Sequence, residues 1–581
     1  QIITAEQIRQ IPANSLNELL SFVAGVDVRQ RGPNGSQADV GIDGGTFDQT
    51  LLLLNGFKMS DVQTGHNMMN IPVPLDAIER IEVLKGAAAR AYGVNALMGV
   101  INIVTKKGSE NGLGVSAHAG SSFMKDEDTK KYYTNWGAQT VAQLQSGNTA
   151  HLLAGALDKG NGYRYNTAYE NKRLFYSTQA NLSAKAKLEA MAGIAQNQFG
   201  ANAFYAAPND KESEEEVNNY HIAFRVPIYI NRSWSIKPSA VYRNGYDHYV
   251  FVRQNPSVYE NKHRTHTLDA SIDNVINTRA GTLAIGANIR RESINSSNLG
   301  EHLRLNYGLS TEFQSRLLRK LDIVAGVYWN YNSIYGFNIY PGLDLGYALS
   351  QHVRLYGNVG LGQRLPTFTD LYYEGPNNLG NDQLTPEAMI SYELGVKMRK
   401  NGSYINASLF YKDGREFIDW IRPDSLSAWM VNNFTSLQTL GVHLDAGYTH
   451  FWSKGSVTLH TGYTYLNPKI GAIRDENKSH WQSQYAVNAL RHQWTTRIAF
   501  NIDNGWGFSL GNRLVERHTA HDSYNGYAQR HYMLTDAQLS YRHGAWSTRL
   551  MITNLFDIKY IESGVVPLPG RWFTLGATLQ L

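Results

Sequence analysis

Apolar and polar residues alternate along most of the chain, from about residue 114 to the C-terminus. Val353, Leu355, Gly357 and Val359, for example, alternate with Arg354, Tyr356 and Asn358, and residues 573–581 repeat the pattern. A period of two places successive side chains on opposite faces of a β-strand. This part of the chain is therefore predicted to form a long series of amphipathic strands.

Ten short polar or glycine-containing segments interrupt the alternation, roughly every 35 to 55 residues, and two strands of about ten residues plus one long loop fit each interval. Strands of this length favour a membrane barrel over a soluble β-sandwich, whose strands are shorter. Ten short turns, with both chain ends on the same side, predict about 22 antiparallel strands. The predicted turns are Ser146–Asn148, Ser183–Ala184, Asn231–Arg232, Arg279–Gly281, Arg319–Lys320, Ser350–Gln351, Asn401–Gly402, Lys454–Gly455, Asn504–Gly505 and His543–Gly544.

The first hundred residues have a different, mixed α/β pattern. Thr4 and Ser15 are suitable N-cap residues, each followed by apolar residues at helical spacing. Apolar and β-branched runs then predict several strands, with a turn at Gly32–Gly35 between the first two. The predicted strands are Val26–Gln30, Asp39–Asp43, Thr50–Leu54, Ile78–Leu84 and Val100–Val104.

A barrel of about 22 strands has a lumen wide enough to require a plug. The α/β segment is the candidate plug, because a domain of about one hundred residues would be only marginally stable on its own. We therefore predict a transmembrane β-barrel with an N-terminal α/β plug domain in its lumen. Residues 1–110 are assigned to the plug domain and residues 111–581 to the transmembrane β-barrel.

Composition and charge narrow the functional classes. The net charge is +5, from 54 Lys and Arg against 49 Asp and Glu, without a concentrated basic face, so no nucleic-acid partner is expected. There are no cysteines, which excludes disulfides and thiolate metal sites. The mean hydropathy of −0.37 and the absence of a long apolar run argue against a transmembrane helix. They do not argue against a membrane barrel, because its strands alternate apolar and polar residues and so give a polar mean hydropathy.

Three groups of motifs follow one another along nearly the whole chain. They are Glu79–Gly86, Ala91–Gly93, Asn95–Ala96 and Gly99–Thr105; then Gln363–Thr367, Asp370–Tyr372, Leu384–Glu387 and Ser391–Gly395; then Asn554–Asp557, Tyr560 and Pro569–Arg571. The first group resembles the plug of the TonB-dependent outer-membrane transporter family, the second resembles its central barrel signature and the third its C-terminal signature. The three groups occur in the family's order.

The resemblance implies energy-dependent uptake of a scarce, bulky nutrient across the outer membrane of a Gram-negative bacterium. The expected partners are TonB with its inner-membrane motor proteins, outer-membrane lipids and, from family behaviour, a surface lipoprotein that captures ligand. The family's TonB-binding box is expected upstream of Gln1. No enzyme is expected, because no nucleophile turn or phosphate-binding loop is present. A passive or adhesive barrel is the alternative class.

Four charged residues in the motifs are predicted to form a plug–barrel latch. Arg80 and Lys85 lie in the plug motif, and Glu387 and Glu393 lie on strands that could face the lumen. Charges removed from bulk water need partners of opposite sign. We therefore expect Arg80 and Lys85 to pair with Glu387 and Glu393.

The size of the chain and its plug are closest to the cobalamin transporters of the family. Two plug loops, 45–49 and 61–70, are expected at the barrel mouth, where neutral hydrogen-bonding and soft apolar side chains suit a large amide-bearing corrinoid. A ferric siderophore is an open alternative, and haem is disfavoured because Gln363–Pro366 and Gly380–Leu384 depart from the boxes of haem receptors. The predicted ligand-binding residues are Thr46, Phe47, Gln49, Gln63, Thr64, His66, Asn67, Met68 and Met69.

No cofactor or metal site is predicted. The acidic run of Asp210, Glu212, Glu214, Glu215 and Glu216 contains oxygen ligands of the kind that calcium prefers, and some cobalamin transporters bind calcium in their loops. Its spacing matches no defined calcium loop, so a solvated acidic stretch is the preferred interpretation.

Overall fold

The structure is a computed structural model that describes residues 1–32, 36–86, 92–205, 210–375, 377–424, 426–470, 482–483, 490–518 and 522–581. A closed barrel of 22 antiparallel strands surrounds a smaller α/β domain, which confirms the predicted fold class. The barrel closes where Trp572–Gln580, the last strand, pairs with Gly112–Lys125, the first strand of the wall.

The wall strands follow one another around the barrel in chain order. Their bounds are Gly112–Lys125, Tyr132–Ser146, Thr149–Gly160, Tyr169–Asn181, Lys187–Gly200, Glu214–Arg225, Trp234–Val250, Glu260–Asn277, Gly281–Ser296, Gly300–Leu318, Leu321–Asn332, Gly336–Ala348, Val353–Arg364, Glu387–Lys400, Ser403–Arg422, Trp429–Trp452, Gly455–Ile470, Leu490–Ile502, Trp506–Arg517, His531–His543, Trp546–Thr553 and Trp572–Gln580.

Each of the ten predicted short turns connects two paired wall strands, as Ser146 and Thr149 do on either side of the first one. The predicted strand length of about ten residues is wrong for most of the wall. Trp429–Trp452 has 24 residues, whereas Trp546–Thr553 has 8. Many strands continue past the membrane into the long connections, and a sequence pattern of period two does not mark where the lipid ends.

Side chains alternate between the two faces of the wall. In Tyr132–Ser146, exposed residues alternate with buried ones over most of the strand. Outward positions carry large apolar side chains, such as Leu394 at 69% and Leu575 at 63% exposure. Such an apolar outer face suits lipid, and the polar inner face surrounds the plug.

The plug contains a five-stranded sheet, a separate pair of strands and two short helices. In order across the sheet, the strands are Ile2–Thr4, Ile78–Lys85, Gly99–Thr105, Thr50–Leu54 and Phe57–Lys58; the separate pair is Val26–Gln30 with Ala38–Ile42. The predicted turn at 32–35 lies mostly outside the described residues, as does Ala91 of the plug motif.

The two plug helices begin where the sequence predicts. Helix Ala5–Gln10 has Thr4 as its N-cap, and the Gln7 side chain accepts a hydrogen bond from the Thr4 backbone NH at 2.9 Å, which completes a capping box. Helix Leu16–Leu20 is capped by Ser15. Between the helices and the sheet, Leu19, Leu20 and other apolar side chains are completely buried.

Few other regular elements occur in the described ranges. They are the 3₁₀ turns Phe47–Gln49, Leu75–Ala77 and Pro256–Val258, the helix Phe368–Tyr372, and the two-residue strands Ile228–Tyr229, Asn378–Leu379, Gln482–Ser483, Ser523–Tyr524 and Tyr527–Ala528. No helix in the described part of the chain is long and apolar enough to cross a membrane.

Candidate functional site: the plug–wall interface

Arg364 is the centre of a buried charge cluster that joins plug to wall. It ends the wall strand Val353–Arg364, and its side chain is 2% exposed. Its guanidinium contacts the carboxylates of Asp48 in the plug and of Asp370 in the wall's next connection, and lies 3.0 Å from Glu387 Oε1. One cation thus meets three carboxylates, a concentration of charge that water does not screen.

Neutral groups of the plug and of the wall complete the cluster. From the plug, Gln49 Nε2 donates to Glu387 Oε2 at 2.8 Å, and from the wall, the backbone NH of Ile418 donates to Glu387 Oε1 at 2.8 Å. The 3₁₀ turn Phe47–Gln49 sets Asp48 and Gln49 side by side against the wall. Burial raises the pKa of Asp48, although the charge of Arg364 acts in the opposite direction.

A second buried cluster surrounds Asp43 of the plug. Asp43 Oδ1 lies 2.8 Å from His443 Nε2 and 3.7 Å from Lys85 Nζ, and its Oδ2 lies 3.2 Å from Lys412 Nζ. Burial would raise the pKa of Asp43, but the charges of His443, Lys412 and Lys85 outweigh burial and lower it. His443 and Lys412 belong to the wall, so this plug carboxylate is held by two wall strands.

The predicted pairing within the latch is wrong. Arg80 is half-buried and pairs with its plug neighbours Glu79, at 3.0 Å, and Glu82, at 2.7 Å. Glu393 accepts a hydrogen bond from Tyr356 of the adjacent wall strand at 2.9 Å. Arg80 lies on the polar face of an eight-residue strand where nearby carboxylates satisfy it, so it needs no partner from the wall.

Lys85 and Glu387 do lie at the plug–wall interface, but with other partners than predicted. Lys85 Nζ donates to the backbone oxygen of Ala24 at 2.7 Å and faces Asp43 and His443, whereas Glu387 binds Arg364 and Gln49. We call the Arg364 and Asp43 clusters together the ionic latch.

Beside the Asp43 cluster, the plug segment Gly25–Asp27 meets the wall through further contacts. The Gln493 side chain accepts from the backbone NH of Gly25 at 2.8 Å and donates to the backbone oxygen of Val26 at 2.9 Å. Arg517 makes two hydrogen bonds of 2.8 Å to the Asp27 carboxylate. Burial would raise the pKa of Asp27, but Arg517 and Arg29 outweigh it and lower the pKa.

The predicted ligand-binding residues are mostly not available at the mouth. Gln49 is bound to Glu387, and Gln63 Nε2 donates to Asp247 Oδ2 of the wall at 2.6 Å. The expectation that plug-loop side chains are free at the surface is therefore wrong for five of them, because wall and loop atoms cover them. Buried are Phe47, Gln49, Gln63, Asn67 and Met68; half-buried are Thr46, Thr64, His66 and Met69.

The segment after Arg364 covers part of the plug loop. The backbone NH groups of Phe368 and Thr369 donate to the backbone oxygens of Val62 and Gln63, at 3.1 and 2.9 Å. Helix Phe368–Tyr372 therefore packs directly against the plug loop.

His66 has a fixed orientation. Its Nδ1 lies 2.6 Å from Asp39 Oδ1, and its ring lies 4.0 Å from the ring of Phe47. Both partners belong to the plug. His66 is thus held by plug contacts and is half-buried.

The acidic run does not converge on one point. In the strand Glu214–Arg225, Glu215 is buried on the inner face, whereas Glu214 and Glu216 lie on the opposite face. Among the described residues, no group of three or more His, Cys, Asp or Glu side chains is arranged to hold a metal ion.

Sequence reasoning missed most of the ionic latch. Arg364 and Asp370 lie inside the second group of motifs, and an arginine so close in sequence to an acidic residue is a signal for an ion pair. Asp43, Lys412 and His443 lie in no such motif. Their roles depend on contacts hundreds of residues apart along the chain, as between Asp43 and Lys412 at a separation of 369.

Comparisons with known proteins identify the family. The model described as the TonB-dependent receptor plug domain matches residues 1–100, and the TonB-dependent receptor-like β-barrel model matches residues 121–555. A vitamin B12 transporter of Vibrio vulnificus is 23% identical over 96% of this chain and 88% of its own length. An iron-regulated outer membrane virulence protein of Vibrio cholerae is 22% identical over 99% of this chain and 91% of its own length.

The fold agrees with that of a solved siderophore receptor. The PirA receptor of Acinetobacter baumannii superposes with a TM-score of 0.78 at 17% identity, covering 100% of this chain and 98% of that one. Two family models cover plug and wall in the order that the structure shows. The chain therefore belongs to the TonB-dependent receptors, the plugged transport barrels of the Gram-negative outer membrane.

Proposed function

We propose that this transporter imports cobalamin or a related corrinoid, with energy delivered through TonB. The observation that carries the proposal is similarity over the full chain to relatives named vitamin B12 transporters, at 23% identity over 96% and 27% identity over 100% of the chain. The ligand enters from the side of the long connections, which is the extracellular side in this family.

The chemistry of the plug loops supports a neutral, amide-bearing ligand. Four half-buried residues of the plug loops, Thr46, Thr64, His66 and Met69, offer hydroxyl, imidazole and thioether groups. Because Gln49 and Gln63 are bound to the wall, ligand capture through their amides requires the plug–wall contacts to rearrange. In this proposal the ionic latch holds the plug closed until TonB acts.

A ferric siderophore is the second candidate, and one relative named as iron-regulated supports it at 22% identity. The solved PirA siderophore receptors of Pseudomonas aeruginosa and Acinetobacter baumannii share the fold at 18% and 17% identity. Similarity at that level of sequence identity supports a shared fold but does not indicate which ligand is bound.

Calorimetric titration of the purified receptor in detergent tests the ligand. Cyanocobalamin, haemin and ferric enterobactin are titrated separately, and nanomolar binding of cyanocobalamin alone is expected. Binding of ferric enterobactin without cyanocobalamin would replace the proposal by the siderophore alternative. Failure of cyanocobalamin to bind at micromolar concentration would overturn it.

Uptake by whole cells tests the energy coupling. Radiolabelled cyanocobalamin is expected to accumulate only in cells with TonB and a proton motive force, whereas surface binding persists without either. Accumulation that continues after a protonophore collapses the proton motive force would contradict the proposed coupling. A surface lipoprotein partner would appear as a cell-envelope protein that co-purifies with the receptor and itself binds cyanocobalamin.

A further inference from the structure

The outer face of two neighbouring wall strands changes from apolar to polar near their extracellular ends. The strands are Glu260–Asn277 and Gly281–Ser296, which the short turn at Arg279–Gly281 joins at their other ends. Beyond the last apolar residue on this face, the strands carry Arg264 and Arg291, and both side chains are exposed. The two arginines therefore lie at the edge of the lipid-facing band. The apolar residues of the band beneath them are Leu268, Ala270, Ile272, Ile285, Ala287 and Ile289.

One histidine lies between the two arginines on the same face. Arg291 is directly opposite Leu268 in the strand register, and His266 and Arg264 follow Leu268 at alternate positions toward the extracellular end. With about 3.4 Å per residue and about 4.8 Å between strands, the arginine Cα atoms are about 14 Å apart. Two arginine side chains can reach across that distance from both ends. We call Arg264, His266 and Arg291 the outer basic patch.

The arginines of the outer basic patch contact neutral groups. Arg264 Cζ lies 5.5 Å from the centre of the Tyr246 ring, and Arg291 Nη1 donates to Ser293 Oγ at 3.4 Å. Among the described residues, no carboxylate lies within ion-pair distance of either guanidinium. Each arginine thus carries a positive charge at the edge of the lipid, and the described part of the chain supplies no counter-charge for it.

The ring of His266 is fixed by its neighbours. Its Nδ1 lies 2.7 Å from the Tyr242 hydroxyl and 3.2 Å from the amide nitrogen of Asn244, both on the adjacent strand Trp234–Val250. Because the amide nitrogen can only donate, Nδ1 accepts, and the neutral ring carries its proton on Nε2. The outer basic patch therefore presents N–H donors, from two guanidiniums and one imidazole.

We propose that the outer basic patch binds the phosphate groups of a glycolipid headgroup in the outer leaflet of the membrane. A guanidinium forms two parallel hydrogen bonds to a phosphate, which supplies the missing negative charge. The apolar band directly below the patch suits acyl chains, so this face matches both parts of a phosphorylated lipid. Free phosphate would use the polar part alone and bind weakly at so exposed a surface. The proposal does not depend on which nutrient is transported.

Native mass spectrometry of the purified receptor in detergent tests the proposal, with bisphosphorylated lipid A as the added lipid. Arg264→Gln combined with Arg291→Gln is expected to bind lipid A about tenfold or more weakly than the wild type, because two phosphate contacts are lost. Phosphatidylethanolamine, which carries no net charge, should bind both proteins equally. Millimolar inorganic phosphate should leave lipid A bound to the wild type, and displacement would overturn the lipid in favour of free phosphate.

Lys159→Gln combined with Lys172→Gln is the matched control. It removes the same two charges from exposed positions near the extracellular ends of two other wall strands, where both lysines pair with Glu170, at 2.7 and 2.5 Å. It is expected to keep the wild-type binding of lipid A. Folding of each variant is checked by heat-modifiable migration on gels. Equal weakening in the two double variants would show a general attraction between charges and overturn the site, as would wild-type binding by the arginine variant.

Discussion

The plug is attached to the wall by two kinds of contact. At Asp43 and Asp48, wall cations and carboxylates meet plug carboxylates in two buried clusters. At the neighbouring segment Gly25–Asp27, Gln493 binds the plug backbone, and one ion pair joins Asp27 to Arg517. A buried cluster loses much when one member is removed, whereas a neutral contact loses about one hydrogen bond. The two kinds of contact should therefore respond differently to mutation.

The largest effect is expected for Arg364→Ala. Removing this cation leaves Asp48, Asp370 and Glu387 close together in a dry site, at a cost of about 3–5 kcal/mol in the free energy of unfolding. The midpoint of guanidinium unfolding in detergent measures it. Arg80→Ala is the control and should cost about 0.5 kcal/mol or less, because that pair is partly exposed. Equal losses in the two variants would remove the basis for the ionic latch.

At the segment Gly25–Asp27, Asp27→Asn should have the next largest effect. It leaves the guanidinium of Arg517 buried with a neutral partner, which is expected to cost about 3 kcal/mol. The same unfolding assay measures the loss. If Asp27→Asn proves as mild as Arg80→Ala, this segment is held by neutral contacts alone.

A smaller loss is expected for Gln493→Leu. The substitution leaves the NH of Gly25 and the carbonyl of Val26 without this partner, at a cost of about 1–2 kcal/mol. Protease cleavage of the plug in intact barrels should also become faster. A loss as large as that of Arg364→Ala would show that the neutral contacts are as strong as the ionic clusters and would contradict the comparison.

The smallest effect is a dependence on pH. The folded pKa of Asp27 lies below its unfolded value, so its stabilisation is complete above the unfolded pKa and is lost as the pH falls through the folded pKa. Between pH 7 and pH 4 the wild type should lose less than about half a kcal/mol from this group, because pH 4 is still close to the unfolded pKa and well above the folded one. The stability difference between wild type and Asp27→Asn should shrink by that amount, and a growing difference would contradict the assignment.

The barrel could be predicted from sequence because its evidence is local. The alternation within Val353–Arg364 and the turn at Asn401–Gly402 are each visible in a few residues, and 22 strands follow from repeating them. The capping of Ala5–Gln10 by Thr4 is equally local. Element type and order were therefore predictable, whereas strand ends were not.

The site could not be predicted in the same way, because its contacts join distant parts of the chain. Gln49 reaches Glu387 across 338 residues, and Gln63 reaches Asp247 across 184. A plug-loop amide looks the same in sequence whether it faces a ligand or a wall carboxylate. Arg80 shows the opposite error. Its motif predicts a partner in the wall, but its side chain pairs with Glu79 and Glu82 of the same strand.

The unequal strand lengths have a consequence for the cell surface. A strand of 24 residues extends about 80 Å, and at the usual tilt it stands far higher than the apolar band of about 25 Å, whereas a strand of 8 residues hardly spans that band. The rim around Trp429–Trp452 therefore stands well above the membrane surface, whereas Trp546–Thr553 ends close to it. A particle that approaches the cell from outside, such as an antibody or a phage, would meet the tall part of the rim first.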